Sequence, residues 1–147
     1  MAAASAAAVR NVFVYGSLLA PEVLKAIISR VPPSAPAVVP NFHCYRVTGQ
    51  LYPAVRPRDG DEVTGKVLFG LTQQELTLLD DFEDIDYKRQ VVKPTLLDKR
   101  PDQTDISLPV QAYMYIWAKE DESLQGDWDY EEWRQNYLAE FLSKYFG

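Results

Sequence analysis

Hydrophobic positions change their period several times along the chain, and each change marks an element. Val12, Phe13, Val14 and Tyr15 are consecutive β-branched or aromatic residues, as strand residues tend to be. The run breaks at Gly16-Ser17 and restarts behind Pro21, whose missing N–H suits a first helical position. Val23 with Ile27 and Leu24 with Ile28 then form i, i+4 pairs, so residues 21–30 read as a short amphipathic helix. Four prolines between Val31 and Pro40 predict an extended connection that is neither helix nor central strand. Residues 42–52 and 63–69 are strand-like, and Pro57-Arg58-Asp59-Gly60-Asp61 between them is turn chemistry, which predicts a hairpin. Thr72 with Glu75 is a capping box that opens a helix over residues 73–82. Strands near 87–97 and 109–118 flank the polar loop KRPDQTDIS. A last helix begins after Asp129, with Glu132 completing a second capping pattern and Trp133, Tyr137, Phe141 and Tyr145 on one face. Runs of strands punctuated by short helices predict an α+β domain on a curled, mostly antiparallel sheet.

Composition narrows what such a domain does. With 147 residues and 47% hydrophobic composition, residues 11–147 suit one domain, preceded by an alanine-rich segment, residues 1–10, that reads as disordered. The net charge of −6 and the scattered basic residues argue against a nucleic-acid surface. No apolar run approaches the roughly 20 residues of a membrane span, and MAAASAAAVR lacks the form of a secretory signal. With the single Cys44 no intrachain disulfide forms, so a cytoplasmic setting is expected. The single His43 does not build a zinc site, and neither metal nor organic cofactor is expected.

Two stretches carry candidate chemistry. In "NVFVYGSLLAPE" the junction from strand to turn to helix gathers backbone N–H groups, a place for a carboxylate or phosphate to dock without a side-chain charge. In "LTLLDDFEDIDY" helical spacing puts Leu76, Leu79 and Phe82 on one face, with Glu83 falling angularly between Leu76 and Leu79. Asp81 and Asp84 fall outside and Asp80 lies at the rim. Burial and the negative helix end both disfavour a charged Glu83, so its pKa is expected to rise toward neutrality, as an acid/base requires. The plainer alternative leaves Glu83 in a fraying last turn, exposed or paired with Lys88 or Arg89. Ser17 resembles a nucleophile only superficially, because no partner for it is apparent and the G-x-S-x-G spacing is absent. Cys44 reads as a small buried apolar residue.

The ordered set "VFVYGSLL", "GKVLFGLTQQELTLLDDFEDIDYKRQ", "YMYIWA" and "GDWDYEEW" resembles the gamma-glutamylcyclotransferase-like superfamily, nearest its avirulence-induced-gene-like branch known from plants. The resemblance runs from Asn11 to Tyr137. It implies a small mixed, mostly antiparallel β-barrel with peripheral short helices and a cavity at one end. It also implies an acyltransferase that releases 5-oxoproline from a small-molecule gamma-glutamyl substrate. Carried onto this chain, the substrate-holding turn is Tyr15, Gly16, Ser17 and Leu18, extending through Leu19 and Ala20, and the acid/base is Glu83. Where relatives often carry glycine after the glutamate and Glu before the later Tyr, this chain has Asp84 and Asp86, two acids expected to raise the Glu83 pKa further. Tyr87 and Tyr115 are candidates to line the cavity, against the alternative that they are core. An enzyme and a binding module that keeps the cavity without turnover are both consistent with this pattern.

Overall fold

The computed structural model describes residues 10–97, 110–119 and 123–147, apart from the side chain at position 85. The N-terminal nine residues and the loop KRPDQTDIS lie outside them, so the expectations for those segments are not addressed.

Among the described residues, seven strands and three α-helices occur in the order β1 (Val12–Val14), α1 (Pro21–Ile28), β2 (Ser34–Val47), β3 (Pro53–Leu68), α2 (Gln73–Glu83), β4 (Tyr87–Val92), β5 (Thr95–Leu96), β6 (Ala112–Trp117), β7 (Leu124–Gln125) and α3 (Tyr130–Phe146). Short 3-10 turns at Ser17–Leu19 and Asp84–Asp86 follow β1 and α2. The sheet order is β4-β6-β1-β3-β2-β5, with β7 also on β2. All pairings are antiparallel except β1 with β6.

Connectivity requires this sheet to curl. β4 and β5 occupy opposite ends of the strand order, yet only Lys93 and Pro94 separate them. Three Cα steps of about 3.8 Å limit Val92 and Thr95 to about 11 Å. Five flat inter-strand gaps of about 4.8 Å would demand roughly twice that. The result is an α+β fold on a curled half-barrel with helices around it. The predicted strand 87–97 is thus two short strands, because Pro94 has no N–H for a ladder.

Two sequence expectations are corrected here. The proline-rich stretch is not a bare connection: β2 begins at Ser34 and has β3 on one side and β5 and β7 on the other. In an antiparallel ladder one residue's N–H and C=O point the same way. The Pro36 carbonyl accepts from Leu97 N–H on the β5 side, so its missing donor faces that short edge and not β3. Pro40 has the same parity. The second correction concerns the hairpin, whose turn lies between Val47 and Pro53. Pro57–Asp61 is instead a bulge inside the long β3, where pairing passes from Phe42↔Pro57 to Pro40↔Glu62. Asn41, at φ 66°, bridges the bulge by accepting from Gly60 N–H at 3.1 Å.

Among the described residues two large buried clusters are accompanied by a small third one of Val47, Ala54 and Trp117. One large cluster joins Val12, Val14, Leu68, Leu76 and Leu79 with Trp133 and Phe141 of α3, and the other packs Phe13, Val55, Val67 and Met114 inside the curl. On α3 only Trp133 and Phe141 of the predicted face are buried, while Tyr137 and Tyr145 are more than a third exposed. Each i, i+4 step turns about 40°, so a face defined only by fours drifts off the core. Asp129 caps this helix by accepting from Glu131 N–H at 3.0 Å.

Candidate active site

The turn after β1 is fixed by close approaches that exclude side chains. A Cβ on Gly16 would stand 2.6 Å from Pro53 Cγ, part of a stiff ring. Opposite β1, a Cβ on Gly65 would stand 2.1 Å from the Val14 carbonyl. Glycine at both positions lets β1, β3 and the start of the turn lie together. The Ser17–Leu19 turn follows, with Leu19 N–H bonded to Gly16 carbonyl at 2.9 Å and Ala20 N–H to Ser17 carbonyl at 3.0 Å. The N–H groups that open such a turn have no acceptor within it.

At its far end α2 delivers Glu83 to the same place. Leu76 and Leu79 are buried and Phe82 packs against Phe141, Tyr145 and Phe146, so the apolar face is seated and Glu83 turns inward. A cavity of about 270 Å³ results, lined by Tyr15, Gly16, Ser17, Leu18, Tyr52, Pro53, Phe82, Glu83, Asp84, Asp86, Tyr87, Tyr115, Phe141 and Tyr145, with Phe13 and Val14 at its floor. No Lys, Arg or His is among these lining residues.

The structure therefore brings Tyr15, Gly16, Ser17, Leu18, Glu83, Tyr87 and Tyr115 together. Leu19 and Ala20 are outside the lining: Ala20 is fully buried below the turn and leads into α1, and Leu19 packs on the core. Sequence reasoning missed Tyr52 and Pro53, which arrive from the β2–β3 turn with no local pattern to announce them. Phe141 and Tyr145 had a signal in the spacing of α3, but nothing local told which cavity they would wall.

Burial is the main cause that pushes the Glu83 carboxyl up to about 8, and the negative charge of Asp80 adds to it. That neighbour is Asp80, one turn back on α2, rather than Asp84 or Asp86. The plainer pairing of Glu83 with Arg89 does not occur, since Arg89 Nη1 faces Asp80 Oδ2 at 3.5 Å. Lys119 faces Asp86 at 3.2 Å. The hydroxyls around Glu83 are held: Tyr15 donates to the Tyr115 carbonyl at 2.6 Å, Tyr87 to the Pro53 carbonyl at 2.7 Å, and Tyr115 to Asp80 Oδ1 at 2.7 Å. Burial first, and the Glu83 charge after it, raise the Tyr15 pKa, and the same charge contributes at Tyr52, Tyr87 and Tyr115.

Other chemically capable residues have structural partners. His43 lies between Asp61 at 3.0 Å and Asp127 at 2.7 Å. Burial pushes the Cys44 thiol well above its usual range, the opposite of nucleophile activation. Among the described residues no group of three His, Cys, Asp or Glu is arranged to hold a metal ion, and no helix is long and apolar enough to cross a membrane. The lining thus combines the Gly16–Leu18 turn, a carboxyl that burial makes easy to protonate, and several aromatic rings.

Comparisons with known proteins bear on the family and the fold. The family model described as "Gamma-glutamyl cyclotransferase, AIG2-like" matches residues 12–135. AIG2-like protein D of Arabidopsis thaliana is 44% identical over 90% of this chain and 84% of its own length. The solution structure of another Arabidopsis thaliana protein superposes with a TM-score of 0.66 at 35% identity, covering 92% of this chain and 87% of that one. A structure named gamma-glutamyl cyclotransferase shares the fold, with a TM-score of 0.62 at 19% identity over 91% of this chain and 84% of that one. On these grounds the chain belongs to the gamma-glutamyl cyclotransferase, AIG2-like family.

Proposed function

We propose that the protein is a cytoplasmic gamma-glutamylcyclotransferase with Glu83 as its acid/base. The observation that supports this reading is the cavity itself: the Gly16–Leu18 turn and Glu83 line one volume of about 270 Å³. A gamma-glutamyl head group has a carboxylate that suits the amides and an α-ammonium that must lose a proton before it reacts.

In the reaction, ionised Glu83 takes one proton from the α-ammonium. The freed amine nitrogen attacks the side-chain carbonyl carbon, closing a five-membered ring. The bond from that carbon to the departing nitrogen then breaks as Glu83 returns its proton to that nitrogen, and the ring nitrogen, which still carries two hydrogens and a positive charge, gives one of them to the released amine, so the lactam leaves neutral. The products are 5-oxoproline and the free amine or amino acid. Nucleophile and electrophile belong to one molecule, so holding it folded supplies much of the acceleration; effective molarities of about 10⁵ M or more are reached in well-oriented cases. A carboxyl pushed up to about 8 exchanges protons readily near neutral pH, which supports the assignment of Glu83 to this role.

The test is incubation of the purified protein with a panel of gamma-glutamyl amino acids, peptides and amines, measuring 5-oxoproline. Release that disappears in Glu83→Gln while ligand binding remains is the expected result. A protein that binds the panel without releasing 5-oxoproline would be a binding module instead.

A further inference from the structure

Three tyrosine hydroxyls on the cavity wall have already given away their hydrogens. Tyr15 and Tyr87 donate to main-chain carbonyls at 2.6 and 2.7 Å, and a carbonyl has no hydrogen to offer in return. Tyr115 donates at 2.7 Å to the carboxylate of Asp80, which is likewise an acceptor when ionised. The direction of each bond is therefore fixed. A phenol oxygen that has spent its hydrogen keeps lone pairs and accepts only. All three residues line the cavity that also holds Glu83, and among the described lining residues there is no Lys, Arg or His to compete for those lone pairs. The Gly16–Leu18 turn lines the same cavity and adds main-chain N–H groups. Donors and acceptors of hydrogen bonds thus come from different residues of one lining.

We propose that the hydroxyl oxygens of Tyr15, Tyr87 and Tyr115 form an acceptor wall that reads the ammonium of an α-amino-acid head group, with Asp80 a positioning residue that aims the Tyr115 lone pairs into the cavity. The identity of the head group rests on the cyclotransferase reading above; the polarity of the wall does not. An ammonium has three N–H donors and no acceptor, the complement of such a wall. Neutral oxygens hold it whether or not Glu83 is ionised. After one proton leaves, the remaining two N–H groups stay on the wall and the nitrogen lone pair is free to face the carbonyl carbon.

Asp80 is held from its other side as well. Its Oδ2 faces Arg89 Nη1 at 3.5 Å, and the guanidinium lies 4.2 Å over the Tyr113 ring. The buried Nη1 has no hydrogen-bond partner, so the Tyr115 hydroxyl holds the short bond to this carboxylate. Register secures the arrangement, since Arg89 on β4 is the direct cross-strand partner of Tyr115 on β6. Asp80 itself is absent from the lining, which is why it acts through Tyr115.

Two probes differing only in the α-amine, L-glutamine and glutaramic acid, test the wall by direct calorimetric binding. The wild-type protein is expected to bind glutamine at least about tenfold more tightly, as hydrogen bonds to a charged group imply. Asp80→Ala should lose several-fold of that preference by weakening glutamine alone, whereas Asp80→Asn, whose amide oxygen still accepts, should restore it. If Asp80→Ala does not fold by circular dichroism, Tyr115→Phe keeps the ring, removes the oxygen and should show the same selective loss. Equal affinity for the two probes, binding of neither at millimolar concentration, or an equal loss of both in the variants would overturn the proposal. Measuring 5-oxoproline release in parallel separates the two readings: a glutamine preference without release sinks the cyclotransferase and leaves the wall, and release without the preference does the reverse.

Discussion

At the N-terminal end of α2, Glu75 accepts from Arg30 Nε at 2.6 Å and Nη2 at 2.8 Å, and from Thr72 N–H at 2.9 Å. At the other end of the same helix Glu83 faces a cavity with no Lys, Arg or His among the described lining residues. The hydrogen bonds from Arg30 hold the Glu75 carboxyl below its ordinary range, while burial pushes Glu83 up to about 8. Residue type is identical and both carboxyls carry a desolvation cost, which is the main cause of the Glu83 shift and is outweighed at Glu75. What differs is compensation: Glu75 closes a capping box at the positive helix end with a guanidinium beside it, and Glu83 ends a helix whose negative pole and Asp80 both oppose its charge. A compensated carboxylate holds structure together, and an uncompensated one is available to move protons.

The sharpest way to break this contrast is to neutralise each glutamate in turn. Glu83→Gln removes the proton acceptor and donor together, and 5-oxoproline release should fall by about 10²-fold to 10⁴-fold. Retention of most turnover would remove Glu83 from the chemistry. In the wild-type protein the rate should climb with pH up to about 8, because the carboxyl must be ionised before it can accept a proton. A rate independent of pH between about 6 and 8 would contradict that role.

The same shift has a thermodynamic counterpart with a definite sign. Between the ordinary value of 4.5 and about 8, the folded protein retains a Glu83 proton that the unfolded chain has released. Stability from this group is thus complete below 4.5 and declines as pH rises through that window. Glu83→Gln carries no such penalty, so its advantage over the wild type in thermal melts should grow to the order of a few kcal/mol by pH about 9. Glu75 behaves oppositely: its contribution is present above the ordinary carboxylate range and is lost as pH falls through its lowered value. Glu75→Ala loses the box and the ion pair together. Arg30 is 41% exposed, which screens the pair, so a cost of about 2 kcal/mol by urea titration is expected. That variant should leave the pH midpoint of activity where it was.

How far the sequence foretold this follows the reach of each signal. The capping box at Thr72 and Glu75, the Pro21 start of α1 and the inward angle of Glu83 are local patterns spanning one or two helical turns, and each was readable without partners. The placement of β2 was not. Four prolines argue against a central strand unless it is known which side each N–H faces, and that depends on β3 and β5. The Pro57–Asp61 segment failed for a related reason, because turn residues also serve a bulge when the strands pair past them. The Tyr-Gly-Ser-Leu junction was visible, and of the residues assigned to it Leu19 and Ala20 do not line the cavity, because Leu19 packs on the core and Ala20 is buried just ahead of α1. The distant walls, Tyr52 and Pro53 above all, come from tertiary packing alone.

The smallest expected effect lies at the position that closes α2. Asp84 has φ 60° and ψ −158°, a backbone region that is essentially glycine's own and costs other residues about 1–3 kcal/mol. The turn that aims Glu83 is kept despite the aspartate, with Asp84 N–H bonded to the Asp80 carbonyl. Asp84→Gly should relieve that strain, and the greater freedom of glycine in the unfolded chain offsets part of the gain. A net stabilisation of about 1 kcal/mol or less by chemical denaturation is expected, with the pH midpoint of activity unchanged because Asp80 is the acid that acts on Glu83. A midpoint that drops in Asp84→Gly would move the electrostatic partner of Glu83 from the helix to the turn.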